Sequence, residues 1–343
     1  MSSSTQFLSP SEAAKRLGVS AKALRLYEQR GLITPLRTAA GWRTYGPDQM
    51  SRAAQIVALR ALGLSLAQVA GVLGGDAQSL EPALSAHQLM LETRARQLAD
   101  TVEKVRRLRA DLNTGKVPAA GELQHLLNPA SKFHVTFNLP WPWGGELFEL
   151  RNVRRLNYII GPLGSGKTRL AMRLAEALPN AAFLGLDRLA DGAAFQTKLD
   201  ADPALKSRMD QSLAWLVEDG ATVSEALLAL LVGLESEGPD ILVIDMLEQD
   251  LNQATQEALI AHLRRRGPNA RPLFFLTRSS AVLDLDAVSP DEAIIFCPAN
   301  HSPPTLVAPY PGAPGYEAVA NCLASPEVRA RTHGVIAWRP DAA

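Results

Sequence analysis

Apolar positions near the start of the chain recur at helical spacing and are interrupted by capping residues. In SPSEAAKRLGVSAKALRLYEQRGLI, Ala13, Ala14 and Leu17 precede Gly18, and Leu24 and Leu26 follow Ser20. That pattern predicts two short amphipathic helices with a tight break between them. Ser9 caps the first, with Pro10 at its first position and Glu12 three residues on, the signature of a capping box. Gly18 closes that helix and Ser20 caps the next. After Gly31 the stretch LITPLRTAAGWRTYGPDQM, with Pro35 and a turn at Gly41, predicts a short hairpin or wing. A helix is expected from about Asp48 to Leu62, then a shorter one carrying Leu66, Val69, Val72 and Leu73. Further on, Leu84, Leu91, Leu98, Val105 and Leu112 fall at seven-residue intervals, a coiled-coil seam. Such a seam needs a partner: either a second copy of the helix or the chain's own C-terminal part.

Past the small-residue and proline stretch TGKVPAAGEL the periodicity changes. Short apolar runs, LNYII, ILVI, PLFFLT and AIIFC, alternate with helical segments, which indicates a mostly parallel α/β sheet with helices on both faces. The fold class expected is therefore multidomain: an all-α winged helix-turn-helix at 1–75, a long coiled-coil helix at 76–115 and a linker at 116–130. An α/β domain with a Pro/Gly-rich C-terminal segment then fills 131–343.

Composition narrows the classes. No run of about 18 uncharged apolar residues exists and the N-terminus lacks a signal-peptide pattern, so no membrane association and a cytoplasmic protein are expected. The two cysteines, Cys297 and Cys322, have no partner at metal-ligand spacing, which argues against disulfide or zinc chemistry. His87 stands alone, so metal sensing is not expected either. The net charge of zero conceals an asymmetry: residues 1–116 hold 16 Lys and Arg against 9 Asp and Glu, leaving 19 against 26 beyond. The basic part suits a polyanion and the acidic remainder does not.

Two constellations carry chemistry. In the predicted second helix Lys22, Arg25 and Tyr27 lie on or near one exposed side, and the wing brings Arg43 and Tyr45, beside Arg37 and Trp42. Arg25 is expected to read a base edge and Lys22, Tyr27, Arg43 and Tyr45 to position phosphates, although a solvated helix face would look the same. The second constellation is GPLGSGKT at 161–168, preceded by an apolar strand and followed by an amphipathic helix, the context that a P-loop needs. Gly161, Gly164, Ser165 and Gly166 would close backbone N–H groups around phosphate, with Lys167 on the β and γ phosphates. Thr168 and Asp245, the latter at the end of ILVI, would hold Mg²⁺. The expected cofactors are ATP and Mg²⁺.

The strings LSPSEAAKRLGVSAKALRLYEQRGLI, GWRTYGPDQM and LRALGLSLAQV, across residues 8–73, resemble the MerR family of bacterial transcription regulators. The resemblance implies a homodimer joined by the long helix, a double-stranded promoter or operator that it bends and untwists, and RNA polymerase as a further partner. The α/β part, through GPLGSGKT, ILVIDMLEQDL and PLFFLTRSSAVLD at about 132–286, resembles the ATP-binding-cassette class, especially its non-transporter members. That class has a Glu directly after the strand-ending Asp, where this chain has Met246, and a His where Arg278 stands; its signature is degenerate around VEDGATVSEALL.

The departures point to weak ATP hydrolysis at most, with Glu248 as the base that orients water or Arg278 as a stabiliser of γ-phosphate charge. Together these expectations describe a regulator whose nucleotide state sets DNA geometry. The alternatives are an ATP-hydrolysing enzyme that uses the winged helix to load onto DNA, and a regulator whose glycine loop binds another phosphorylated ligand. Trp141 and Trp143, just before the loop strand, would either stack on adenine or anchor the interdomain junction, and His301, Tyr310 and Tyr316 would either line a pocket or pack.

Overall fold

The computed structural model describes residues 7–117, 133–189, 192–267 and 270–332. The expected linker at 116–130 lies almost wholly outside the described residues. Near the N-terminus, α1 (Pro10–Leu17) opens on the capping box that Ser9 and Glu12 predict and ends at Gly18 in the left-handed region, φ 67°. Ser20 caps α2 (Ala21–Gln29) by accepting from the Ala23 amide. The wing is a two-stranded antiparallel ribbon, β1 (Leu36–Arg37) against β2 (Arg43–Thr44). Helices α3 (Pro47–Ala61) and α4 (Leu66–Leu73) complete the unit. Leu24, Tyr45, Ala53, Ile56 and Val69 fill its core.

Helix α5 (Leu80–Asn113) leaves this unit as one continuous rod. Four of its seam residues, Leu84, Leu91, Leu98 and Leu112, stay 48–60% exposed, so the seam is not covered by the chain's own α/β part. The alternative of a helix packed on its own C-terminal domain is therefore excluded among the described residues.

The C-terminal unit is built on six strands in the order β10, β9, β5, β8, β7, β6. These are β5 (Leu156–Ile160), β6 (Ala181–Leu184), β7 (Ile241–Ile244), β8 (Leu273–Leu276), β9 (Glu292–Phe296) and β10 (Thr305–Val307). All pairs are parallel except β10 with β9. Strand alternation divides the core in two. Leu156, Tyr158, Leu242, Ile244 and Phe275 face one layer, with α8 (Pro203–Glu218), α9 (Glu225–Glu235) and α10 (Gln253–Arg265). Ile159, Val243, Phe274 and Leu276 face the other, where α6 (Lys167–Ala177) packs beside the hairpin β3 (Val135–Asn138) and β4 (Leu147–Leu150). Helix α7 (Gly192–Ala201) lies before α8, and α11 (Tyr316–Cys322) and α12 (Pro326–Thr332) close the described chain. The layer of α8, α9 and α10 also takes Leu199 of α7 and Val319 of α11; the other layer has α6 and a β-hairpin rather than helices alone.

The two units are joined by specific polar contacts. Arg60 on α3 forms a forked pair with Asp219, at 2.5 and 3.1 Å, and the same carboxylate accepts from the Leu66 amide at the start of α4 at 2.8 Å. Ser65 donates to Glu218 at 2.9 Å, and the Trp215 indole N–H donates to the Gly63 carbonyl at 3.2 Å. Arg60 and Arg265 lie over the Trp215 ring, 5.5 and 4.8 Å from its centre. Gly63 turns with φ 89°, and a side chain there would meet the Arg265 stem at 3.0 Å, so the close approach needs a glycine.

Candidate functional site

The C-terminal ends of three neighbouring strands set the geometry of the glycine loop. Strand β8 pairs with β5 on one side and β7 on the other, so Thr277 and Arg278 emerge between the loop that follows β5 and Asp245 that follows β7. Gly164 and Gly166 take positive φ, 79° and 86°, turning the chain into α6. Two glycines are required by contact as well. A Cβ on Gly161 would lie 2.3 Å from the Cys297 carbonyl oxygen, and one on Gly166 would lie 2.6 Å from the Trp143 ring. The Lys167 ammonium is folded into the loop, donating to the carbonyls of Gly161 at 2.7 Å and Pro162 at 2.6 Å. Burial holds its pKa below the ordinary lysine value. Ser165 is buried beside it.

Thr168 Oγ1 donates to Asp245 Oδ2 at 3.3 Å, and burial raises the Asp245 pKa. A helix start with turned amides and an ammonium suits an anion, and the Thr168–Asp245 oxygen pair suits a hard cation. Among the described residues no group of three or more His, Cys, Asp or Glu could hold a metal ion.

Glu248, read from the sequence as a base that would orient water, is held by other groups of the protein. It is buried, its Oε1 accepts from the Arg278 amide at 3.0 Å, and the same oxygen forms an ion pair with Arg329 of α12. Its Oε2 has no hydrogen-bond partner among the described residues. The reason lies beyond the reach of local sequence: α12 returns to this strand edge, and Ala324 pairs with the β8 exit. Arg278 follows β8, which pairs with β5, the strand that leads into the glycine loop.

Arg188 fills the space behind Asp245, donating to the carbonyls of Gly185 at 2.7 Å and of Asp245 and Met246 at 2.8 Å. Met246 takes φ 45°, so this backbone is held in the left-handed region by the Arg188 fork. Trp143 is buried against Gly166 and donates to the Ser302 carbonyl at 3.1 Å, so it clamps the loop to the C-terminal segment and does not anchor the interdomain junction. Trp141 is 76% exposed. His301 Nε2 sits 3.1 Å from the Gly164 carbonyl oxygen, whereas Tyr310 is exposed and Tyr316 packs on the core.

The helix-turn-helix surface is smaller than the sequence suggests. Tyr27 and Tyr45, expected to touch DNA, are core residues, 6% and 0% exposed. Tyr27 stands one turn after Leu24 and points inward with it; the Tyr45 hydroxyl donates to Glu28. Arg43 pairs with Glu28 at 2.8 Å and remains partly exposed. Arg25 is exposed. Lys22 turns toward the α/β unit, 3.2 Å from Glu257 Oε1.

Comparison with known proteins assigns the N-terminal unit. Residues 8–75 match the MerR HTH family regulatory protein model. HmrR of Sinorhizobium medicae, an HTH-type transcriptional regulator, is 46% identical over 63 residues, 18% of this chain and 43% of HmrR. A ZntR homolog of Haemophilus influenzae, also an HTH-type transcriptional regulator, is 30% identical over 100 residues, 29% of this chain and 73% of that protein. The chain belongs to the MerR HTH family. It spans less than half the length of HmrR, and most of its own length lies beyond the family match. Among solved structures, the SMC head domain from Thermotoga maritima is similar with a TM-score of 0.37 and 10% identity, covering 51% of this chain and 97% of that one.

Several residues of this MerR HTH protein escaped sequence reasoning. The stretch VEDGATVSEALL, read as a degenerate signature, supplies Glu218 and Asp219, which hold the MerR unit. The visible cue was an Asp-Gly pair ending an amphipathic helix; Gly220, φ 104°, leaves room for the Arg30 guanidinium where a Cβ would collide. Arg188 and Arg329 gave no local signal for their roles, because Asp245, Met246 and Glu248, which they hold, lie in distant segments. No described helix is long and apolar enough to cross a membrane.

Proposed function

We propose that this chain is a dimeric DNA-binding transcription regulator whose α/β unit binds ATP with Mg²⁺ and passes its nucleotide state to the MerR unit. The observation that carries the reading is a MerR unit fastened by its α3–α4 corner to a domain in which Lys167, Thr168 and Asp245 converge on one strand edge. The amides of the glycine loop and Lys167 would take the phosphates, and Thr168 and Asp245 would share the cation. Bound Mg²⁺ supplies charge neutralisation of the phosphate oxygens. HmrR and the ZntR homolog, both HTH-type transcriptional regulators, support regulation of transcription as the output. The uncovered α5 seam supports a second copy as its partner.

Glu248, held by Arg329, favours binding or slow hydrolysis over a fast ATP-driven machine. The test is titration of a quasi-palindromic promoter fragment at fixed salt, with no nucleotide, ADP, ATP or a non-hydrolysable analogue in Mg²⁺. Affinity or bend is expected to change with nucleotide and to lose that dependence in Lys167→Ala. Identical curves in every state overturn the reading, since a ligand that binds both conformations equally shifts neither. Robust DNA-stimulated turnover would instead make the chain an enzyme of DNA transactions.

A further inference from the structure

The first turn of the second helix in a helix-turn-helix reads base edges. Here that turn is engaged already. Lys22, the second residue of α2, sits 3.2 Å from Glu257 on α10 and donates to the Ser280 carbonyl at 3.2 Å. Arg30, just past the end of α2, donates to the Asp219 carbonyl at 3.4 Å, and the Asp219 carboxylate holds Arg60. Three cations of the basic N-terminal unit are thus spent on oxygens of the acidic C-terminal unit, in line with the opposed charge of the two parts of the sequence.

We infer that the α/β unit masks the cations at both ends of the DNA-reading helix, Lys22 and Arg30, its oxygens holding the charges that DNA phosphates require, so that these must be released before α2 docks fully on DNA. The inference rests on the reading of residues 8–75 as the DNA-binding unit. The loop that leaves β8 carries the connection to the glycine loop. Its Arg278 amide donates to Glu248 at 3.0 Å, its Ser279 hydroxyl to Gln256 on α10 at 2.6 Å, and its Ser280 carbonyl receives Lys22. Gln256 adjoins Glu257, so both oxygens that hold Lys22 are placed by one hydrogen-bonded loop and helix. Strand β8 lies beside β5, so this segment leaves the same end of the sheet as the glycine loop. The masking contact and the glycine loop thus sit at one sheet end.

The test measures affinity of the full chain for a double-stranded promoter fragment at fixed salt. Glu257→Gln removes the charge that holds Lys22 and is expected to tighten binding about threefold to fivefold, the size of one partly exposed ion pair. Glu176→Gln, on α6 across the sheet and paired with Arg173, removes the same charge and is expected to change nothing. Lys22→Ala is expected to weaken binding more in the Glu257→Gln background than in the native chain, because only there is Lys22 free for phosphate.

Equal affinity of native and Glu257→Gln protein, with Arg25→Ala weakening both, overturns the masking and leaves the DNA-binding reading standing. Equal tightening by Glu257→Gln and Glu176→Gln also overturns it, as a bulk charge effect. Absence of promoter binding in every form, Glu257→Gln included, overturns the DNA-binding reading and the masking with it. Should Glu257→Gln misfold, Asp219→Asn loosens the same interface and is expected to tighten binding in the same direction.

Discussion

The partners of the Glu248–Arg329 pair are unequal: side-chain exposure is 1% for the carboxylate and 25% for the guanidinium. Removing the arginine strands a charge in the interior, whereas removing the carboxylate leaves a cation that water can reach. Arg329→Ala is therefore expected to cost about 3 kcal/mol and Glu248→Gln about 1 kcal/mol, read by urea denaturation at neutral pH. Equal costs would show that the pair is not seated as described. Gly166 offers a second contrast at this scale. Its φ of 86° and the Trp143 ring 2.6 Å from a would-be Cβ predict that Gly166→Ala lowers stability by about 2 kcal/mol or more, measured by thermal melting. Gly267, with open space around it and no positive φ, is expected to tolerate the same change.

Helices α4 and α5 show how an element can depend on what lies outside it. The first turn of α4 is capped twice, by its own Ser65, which accepts from Gln68, and by Asp219 of the other unit, which accepts from Leu66. Asp219→Ala is expected to speed amide exchange at the start of α4 and to cost about 1–2 kcal/mol, the range of a lost cap, with α1 unaffected. In the proposed dimer, helix α5 takes a second copy of itself as the partner of its exposed seam. Leu91→Asp with Leu98→Asp puts charges into the exposed seam and is expected to yield monomers in sedimentation, with the MerR unit still folded. Persistence of a dimer would place the self-contact elsewhere.

At the scale of the whole molecule, His262 lies beneath the interdomain contact. It stacks near Trp215 from α8, faces Glu235 from α9 at 3.9 Å and has Arg265 at 3.4 Å. Burial pushes its pKa below the ordinary histidine value, the charges of Arg265 and Arg266 push the same way, and Glu235 opposes them. The unfolded chain then binds a proton that the folded one refuses, so stability is fully present above about pH 6.5 and falls as pH drops from there toward the lower folded value. The urea midpoint is expected to fall between pH 7.5 and 5.5, and His262→Gln is expected to flatten that slope. An unchanged slope would locate the titration at another group.

Local pattern determined much of this protein without help. The capping box of Ser9 and Glu12, the left-handed stop at Gly18, the heptad leucines and the strand–glycine loop–helix at 156–177 appear where spacing and turn chemistry put them, because each depends on neighbours in the chain. Helical spacing alone did not tell the inner from the outer side of α2, so Tyr27 and Lys22 looked alike until packing turned one into the core and the other onto Glu257. Glu248 was legible as an acid near the site, but its state was not, since Arg329 lies far along the chain and meets it only when α12 folds back on β8. Contacts within a few residues are written in periodicity; those between distant segments arise from strand order and domain docking, which periodicity does not encode.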